Sequence, residues 1–205
     1  MTRRSEFKQA SLMRILDAGS ARLRTEGLNG AAIAPVMKDA GLTHGAFYSH
    51  FADKDALDEA AFHHAFTTGR PWWIGNAPDR SWSARLMRLA RRYLNLAHRD
   101  DRAGGCAFAA LGADAARAPG RFRRAYAEEL RESLEAICGG LQDGPVDEAR
   151  YDDAIALMAL CVGGLTLARA VDDPAFSEHI LRVARQTVAA LGRNPDPAKE
   201  PFHDR

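Results

Sequence analysis

The sequence predicts an all-α protein. Apolar residues recur at spacings of three and four over long stretches, which lines one face of a helix. Glycine, proline and short polar residues stand where such stretches would begin and end. No segment alternates apolar and polar residues between turn signals, as a half-buried strand would. At 205 residues the chain can build one domain with a substantial core, or join a small domain to a larger one.

About nine helices follow in order. The first, about 6–26, places Leu12, Ile15, Leu16, Gly19 and Leu23 on one face and stops at Gly27. The second, about 32–40, accommodates Pro35 because that residue lies in the first turn. Gly41 ends it in a left-handed conformation that a β-branched residue would strain. Thr43 caps the third, about 44–51, and Asp53 caps the fourth, which carries Leu57, Ala61 and Phe66 inward. The segment PWWIGNAPD after Arg70 reads as a break and as the seam between two regions. A fifth helix, about 81–99, has Trp82, Leu86, Leu89 and Tyr93 at helical spacing, and a sixth runs from near Gly105 to just before Pro119. The seventh, about 121–141, carries a stripe at Phe122, Tyr126, Leu130, Leu134, Ile137 and Leu141. The eighth, about 146–171, is apolar on most of its circumference, and the ninth, about 174–191, shows Ile180, Ala184, Thr187 and Leu191. The tail GRNPDPAKEPFHDR is rich in proline and charge and is expected to be disordered.

Composition narrows the function classes. Hydrophobic residues make up 46% and charged residues 27%, the balance of an ordinary globular protein. No uninterrupted apolar run reaches the ~18 residues of a membrane span, and the charged N-terminus lacks the apolar core of a secretory signal. Cys106, Cys138 and Cys161, with no C-x-x-C, make no disulfide framework and fit a reducing cytoplasm. A net charge of +1 argues against coating nucleic acid nonspecifically. Residues 1–50 nevertheless hold an excess of three positive charges before His44 and His50 are counted. DNA binding needs cations placed locally at phosphates, not a basic protein overall.

Residues 27–57, GLNGAAIAPVMKDAGLTHGAFYSHFADKDAL, carry the strongest signal. Two short helices joined by a glycine turn are the layout of a helix-turn-helix, whose second helix enters a DNA major groove. Ile33, Val36 and Ala40 face inward from the first of them, and Leu42, Phe47 and Phe51 lock the second. That leaves Thr43, His44, Gly45, Ala46, Tyr48 and His50 on or near the outer face. Gly45 and Ala46 are small enough for the backbone to approach base edges. Tyr48 and His50 can hydrogen-bond phosphates, and Lys54 opens the next helix beside the same backbone. Arg3, Arg4 and Lys8 fit either a DNA-contacting arm or an ordinary charged tail.

On these residues the chain resembles the TetR family of one-component bacterial regulators. The resemblance covers about residues 10–60 and rests on Ile33 and Val36, then Ala40-Gly41-Leu42-Thr43, Gly45, Phe47-Tyr48, His50-Phe51, Lys54 and Leu57. It implies a nine-helix homodimer that represses transcription until a small molecule binds the C-terminal region. It also implies Thr43, His44, Gly45, Tyr48, His50 and Lys54 as contacts to a double-stranded operator. The expected organisation is a helix-turn-helix domain at 1–55, a helical effector-binding and dimerisation domain at 56–192, and the tail at 193–205. Two departures stand out. Ala31 and Ala32 replace the usual hydroxyl residue, so the second helix lacks its cap, and Met37 stands where alanine is common.

Beyond the reading head, Trp72, Trp73, Trp82, Tyr93, Phe108, Phe122, Tyr126 and Met158 are candidates for an apolar effector pocket, each also serviceable as core. Cys106 follows Gly104-Gly105 at a helix start, where amide dipoles favour thiolate; it reads either as a pocket thiol that senses oxidants or electrophiles or as a small packing residue. Arginines 85, 88, 91, 92, 99 and 102 read as a solvated face. Gly163, Gly164 and Ala168 would let the eighth and ninth helices meet a second copy closely. His63, His64 and His98 have no ligand spacing, so neither a metal nor a cofactor is expected. An all-helical enzyme is the rival from another class, but no nucleophile–base pair or phosphate loop supports it.

Overall fold

A computed structural model describes residues 3–75, 79–139 and 148–191. The described residues form ten helices and no strand: α1 (Arg3–Gly30), α2 (Ile33–Asp39), α3 (His44–Phe47), α4 (Lys54–Ile74), α5 (Trp82–Tyr93), α6 (Leu96–Asp100), α7 (Ala107–Arg117), α8 (Gly120–Cys138), α9 (Glu148–Ala170) and α10 (Pro174–Val188). The expected tail, Leu141 and the start of the eighth predicted helix lie outside the described residues. The chain divides into two compact units, Met1–Trp72 with Asp100–Arg131, and Trp73–Arg99 with Glu132–Arg205.

The first unit is built on α1. Its buried stripe, Ile15, Gly19, Ser20 and Leu23, follows the helical period. Gly19 allows close approach, since a methyl added there would lie 3.1 Å from the Cβ of Ala61. Gly27 stops the first helical run as its type suggested, at φ 74° and ψ −177°, and one further helical turn follows this kink to Gly30. The kink is held by the Leu28 amide, which donates to Oδ2 of Asp114 at 3.2 Å. Val36, Met37 and Phe47 from α2 and α3 complete the core together with Leu57, Ala61 and Phe62. Met37, for all its size, is fully buried. Further along, Phe62 stacks on Tyr126 (5.7 Å between ring centroids) and tilts against Phe122 at 5.0 Å, while Phe66 lies 4.3 Å from Phe108.

In the second unit α9 packs against α10 and α5. Gly164 makes that packing possible, because a Cβ there would meet Ala184 at 2.9 Å and Leu94 at 3.1 Å. Ala168 is buried and its carbonyl accepts from Ser177. Both residues, expected at a surface between copies, are therefore used inside the chain, and only Gly163 of the three faces open space. By length and composition α9 is the one described helix apolar enough to cross a bilayer. Its Leu157, Cys161 and Leu165 are buried in this unit, as the core helix of a globular protein would place them.

Four further expectations need correction. The third helix stops at Phe47, not at Phe51, because the Ser49 and His50 amides bond back three residues to Ala46 and Phe47 and tighten into a turn. The PWW segment does not break the chain at Arg70. Instead α4 runs through Pro71 to Ile74, since Trp73 and Ile74 are buried and the Trp73 indole donates to the Leu89 carbonyl at 3.0 Å. The predicted fifth helix is two helices. Leu94 leaves helical geometry (φ −90°, ψ 73°), and the Asn95 side chain recaps the chain by accepting from the His98 amide at 2.9 Å. Finally, Arg85 is not solvated: it is 1% exposed and donates to the carbonyls of Ile137 and Ala136 and to Asp79. Arg88 shares Asp79, and this pairing holds that carboxyl below its ordinary range.

Candidate nucleic-acid interface

The reading head starts from a short buried anchor. Phe47 is fully buried and stacks on Phe51 at 5.7 Å, which fixes the roll of α3 although the helix has only one turn. With Phe47 inward, Thr43, His44, Gly45 and Tyr48 are exposed, Ala46 is half-buried, and nothing lies within 4 Å of a Cβ built on Gly45. Tyr48 is 65% exposed, its ring set edge-on to Phe47 at 5.2 Å and to His44 at 5.9 Å. Those contacts limit the rotamers of a side chain whose hydroxyl faces outward, so less entropy is lost when it meets a partner.

The turn before α3 depends on Gly41, which has φ 64°. Its carbonyl accepts from the Arg14 guanidinium at 3.1 Å, tying the turn to α1. Thr43 occupies the N-cap position of α3 but its hydroxyl makes no cap bond, so it does not cap as its type predicts. Ala32 likewise heads α2 without a side-chain cap. The Asp53 cap of α4 is present, accepting from the Ala56 amide at 2.7 Å.

His50 bonds back to α1 through Nε2 and the Ser11 hydroxyl at 3.0 Å. Burial, aided by the charge of Lys8, pushes its imidazole below the ordinary value. Lys54 is the surprise of the site. Its ammonium donates to the Leu28 carbonyl at 2.7 Å and pairs with Asp58, both within the chain. Arg3, Arg4 and Lys8 lie exposed along the first turns of α1, with Arg3 over the Phe7 ring at 5.8 Å.

The described chain fits family models for bacterial regulatory proteins of the tetR family over residues 15–61 and for the tetracyclin repressor-like C-terminal domain over residues 83–184. The chain belongs to the TetR family. Solved structures share its fold. A TetR regulator from Chloroflexus aurantiacus superposes with a TM-score of 0.69 at 22% identity, covering 90% of this chain and 95% of that one. A TetR-family regulator from Cytophaga hutchinsonii gives 0.68 at 18% identity over 95% and 98%, and reduced NemR from E. coli gives 0.66 at 19% over 88% and 96%. No curated protein matches the chain. As a TetR-family regulator it is a DNA-binding protein, and the helix-turn-helix is its reading head.

The residues proposed from sequence for an effector divide between the two units of this TetR-family chain. Trp72, Cys106, Phe108, Phe122 and Tyr126 belong to the first, where Phe108 and Tyr126 meet edge-on at 5.1 Å. Burial pushes the Tyr126 phenol up to about 12, so it remains a neutral donor, to the Phe108 carbonyl at 3.3 Å. Cys106 is half-buried at the N-cap of α7, and Trp72 is 55% exposed. Trp73, Trp82, Tyr93 and Met158 belong to the second unit, where the Trp82 indole donates to Asp153 at 2.7 Å and Trp73 meets Tyr93 at 5.1 Å. Among the described residues no group of His, Cys, Asp and Glu could hold a metal ion.

Sequence reasoning overlooked Asp58 as the Lys54 partner, although the i, i+4 spacing was there to be read. It also overlooked Ser11 beneath His50 and Arg14 beneath Gly41; neither left a signal, because each pair is distant in sequence.

Proposed function

We propose that the chain is a dimeric one-component repressor that binds a palindromic operator and leaves it when a small apolar or aromatic effector binds. The observation that carries the operator reading is the outer face of α3: exposed Tyr48, His44 and Thr43 around an unobstructed Gly45, all set on buried Phe47. Hydroxyls and an imidazole meet phosphate, and a bare backbone lets base edges come close. Arg3, Arg4 and Lys8 supply further cations from α1.

Dimerisation through α9 and α10 is supported by Ile155, Leu167, Phe176 and Val183, large apolar side chains left exposed on those helices. Two-fold symmetry then sets the recognition helices about one DNA turn apart, ~34–36 Å, or somewhat more. The effector acts by population shift: it binds one arrangement of the dimer better and weakens the operator complex by that difference. Its apolar class follows from the Phe62, Phe108, Phe122 and Tyr126 cluster.

A second reading makes Cys106 the sensor, since it is the half-exposed cysteine at a helix start whereas Cys138 and Cys161 are buried. Genome-wide mapping of bound sites, followed by fluorescence anisotropy on the recovered operator, tests the main reading. Tyr48→Ala should weaken binding and flatten its salt dependence, and unchanged binding would overturn the docking. Equal operator release by an oxidant in Cys106→Ser and parent would eliminate the second reading.

A further inference from the structure

His50 sits where the turn after α3 meets α1, and its half-buried ring is held from one side. Its Nε2 lies 3.0 Å from the Ser11 hydroxyl oxygen. Among the described residues that is the ring's one hydrogen bond, and it leaves Nδ1 without a partner.

Hydrogen counting decides which nitrogen carries the proton. A serine hydroxyl has a single hydrogen to donate. That of Ser11 goes to the Lys8 carbonyl, one turn back on α1, at 2.9 Å. Its oxygen is left to accept, so the neutral His50 ring supplies the hydrogen from Nε2. A neutral imidazole has only one N–H, and Nδ1 is then a bare acceptor. A bare acceptor repels a phosphate oxygen, whereas a second proton at Nδ1 makes it a charged donor suited to phosphate.

The surroundings leave that second proton to an incoming anion. Lys8, on α1, is the charge that acts on the ring, and together with burial it opposes protonation in the free protein. The other charged groups of this corner are turned elsewhere. Arg14 bonds to the Gly41 carbonyl, and Asp53 accepts from the Ala56 amide and pairs with Arg121. Lys54 is held by Leu28 and Asp58, and His44 lies against Tyr48. Among the described residues no carboxylate bonds to the His50 ring, so a phosphate at Nδ1 would be the anion that favours its charged form.

We propose that Ser11 is a positioning residue for operator binding: it fixes the His50 tautomer, so that a phosphate is met through Nδ1 only with uptake of one proton from solvent. The complex then binds the proton before the free protein does as pH falls, and operator affinity rises with acidity. This role rests on the operator reading of the α3 face, to which it adds a residue and a pH dependence.

Long-range proton–nitrogen NMR of the full chain without DNA reads the tautomer, with His50→Asn identifying the signal. Above about pH 7 the free protein should carry the His50 proton on Nε2. A proton on Nδ1 overturns the proposal and leaves the DNA reading untouched. Fluorescence anisotropy on the mapped operator, at constant ionic strength, reads the linkage. From about pH 5.5 to about pH 8 the parent's dissociation constant should rise about tenfold, the size of one charge-assisted bond. Ser11→Ala should flatten the rise to less than about threefold, because the neutral ring can then present Nδ1–H. A merely structural serine would weaken binding equally at every pH. Ser11→Thr keeps the hydroxyl and should restore the parent profile, and His50→Asn, with an uncharged donor, should flatten it. The proposal is overturned if the parent profile is no steeper than that of His50→Asn, or if Ser11→Ala is as steep as the parent. Tyr48→Ala separates the two failures: weakened binding there keeps the docking when the pH effect is absent, and unchanged binding removes both.

Discussion

Gly41 and Gly45 lie four residues apart in the reading head, and a single added methyl should act oppositely at the two. Gly41 has φ 64°, a conformation that costs an L-residue roughly 1–2 kcal/mol. The new Cβ would also stand 2.5 Å from an Arg14 nitrogen, forcing that flexible side chain off the Gly41 carbonyl. The lost bond is solvent-exposed, so it adds only about 0.5 kcal/mol. Gly41→Ala should therefore destabilise by about 2 kcal/mol, a fall in Tm of roughly 4–8 °C for a chain of this size. Gly45 has ordinary helical geometry and nothing within 4 Å of its added Cβ. Gly45→Ala should leave stability unchanged or raise it by up to ~1 kcal/mol through helix propensity. Operator affinity should nevertheless fall, because the methyl stands where a base edge would approach. Differential scanning calorimetry and anisotropy on the mapped operator read the two effects separately. Full operator affinity in Gly45→Ala would refute the placement of this face in the groove; an unchanged Tm in Gly41→Ala would refute the strain estimate.

Three other outcomes are expected. Arg85→Leu removes the donors to the Ile137 and Ala136 carbonyls and one partner of Asp79, and should cost about 3 kcal/mol, measured by urea unfolding. A loss under about 1 kcal/mol would mean that water replaces the guanidinium at the end of α8. For His50 the folded-state imidazole titrates below its ordinary 6.5, so the unfolded chain binds the proton first as pH falls. Stability should hold above that value and decline below it, and His50→Gln should remove part of the decline in pH-dependent melts; an identical profile would contradict the shift. Leu167→Glu, at a side chain 59% exposed, should leave the protomer folded by circular dichroism but shift light scattering to monomer, and a persistent dimer would move the interface elsewhere.

Much of the reading head was legible because its determinants are local. Gly41 announces a left-handed turn, Asp53 announces a cap, and the spacing of Val36, Phe47 and Leu57 announces a core face. The limits of the elements were less legible. Pro71 reads as a helix stop, yet burying Trp73 and Ile74 outweighs the one backbone bond that proline removes. The arginine-rich run looked like a solvated face because the carbonyls that Arg85 satisfies lie more than fifty residues away.

By itself the sequence determined the helical class, the helix-turn-helix and the outward-facing residues of α3. Periodicity and turn chemistry act over a few residues and need no knowledge of the rest of the chain. Only the tertiary structure decided the partners of the charged groups. It turned Lys54 toward Leu28 and Asp58, buried Arg85 at the end of α8, and spent Gly164 inside the second unit. A lysine, an arginine or a glycine is compatible with many surroundings, and which one it meets depends on segments that folding alone brings together.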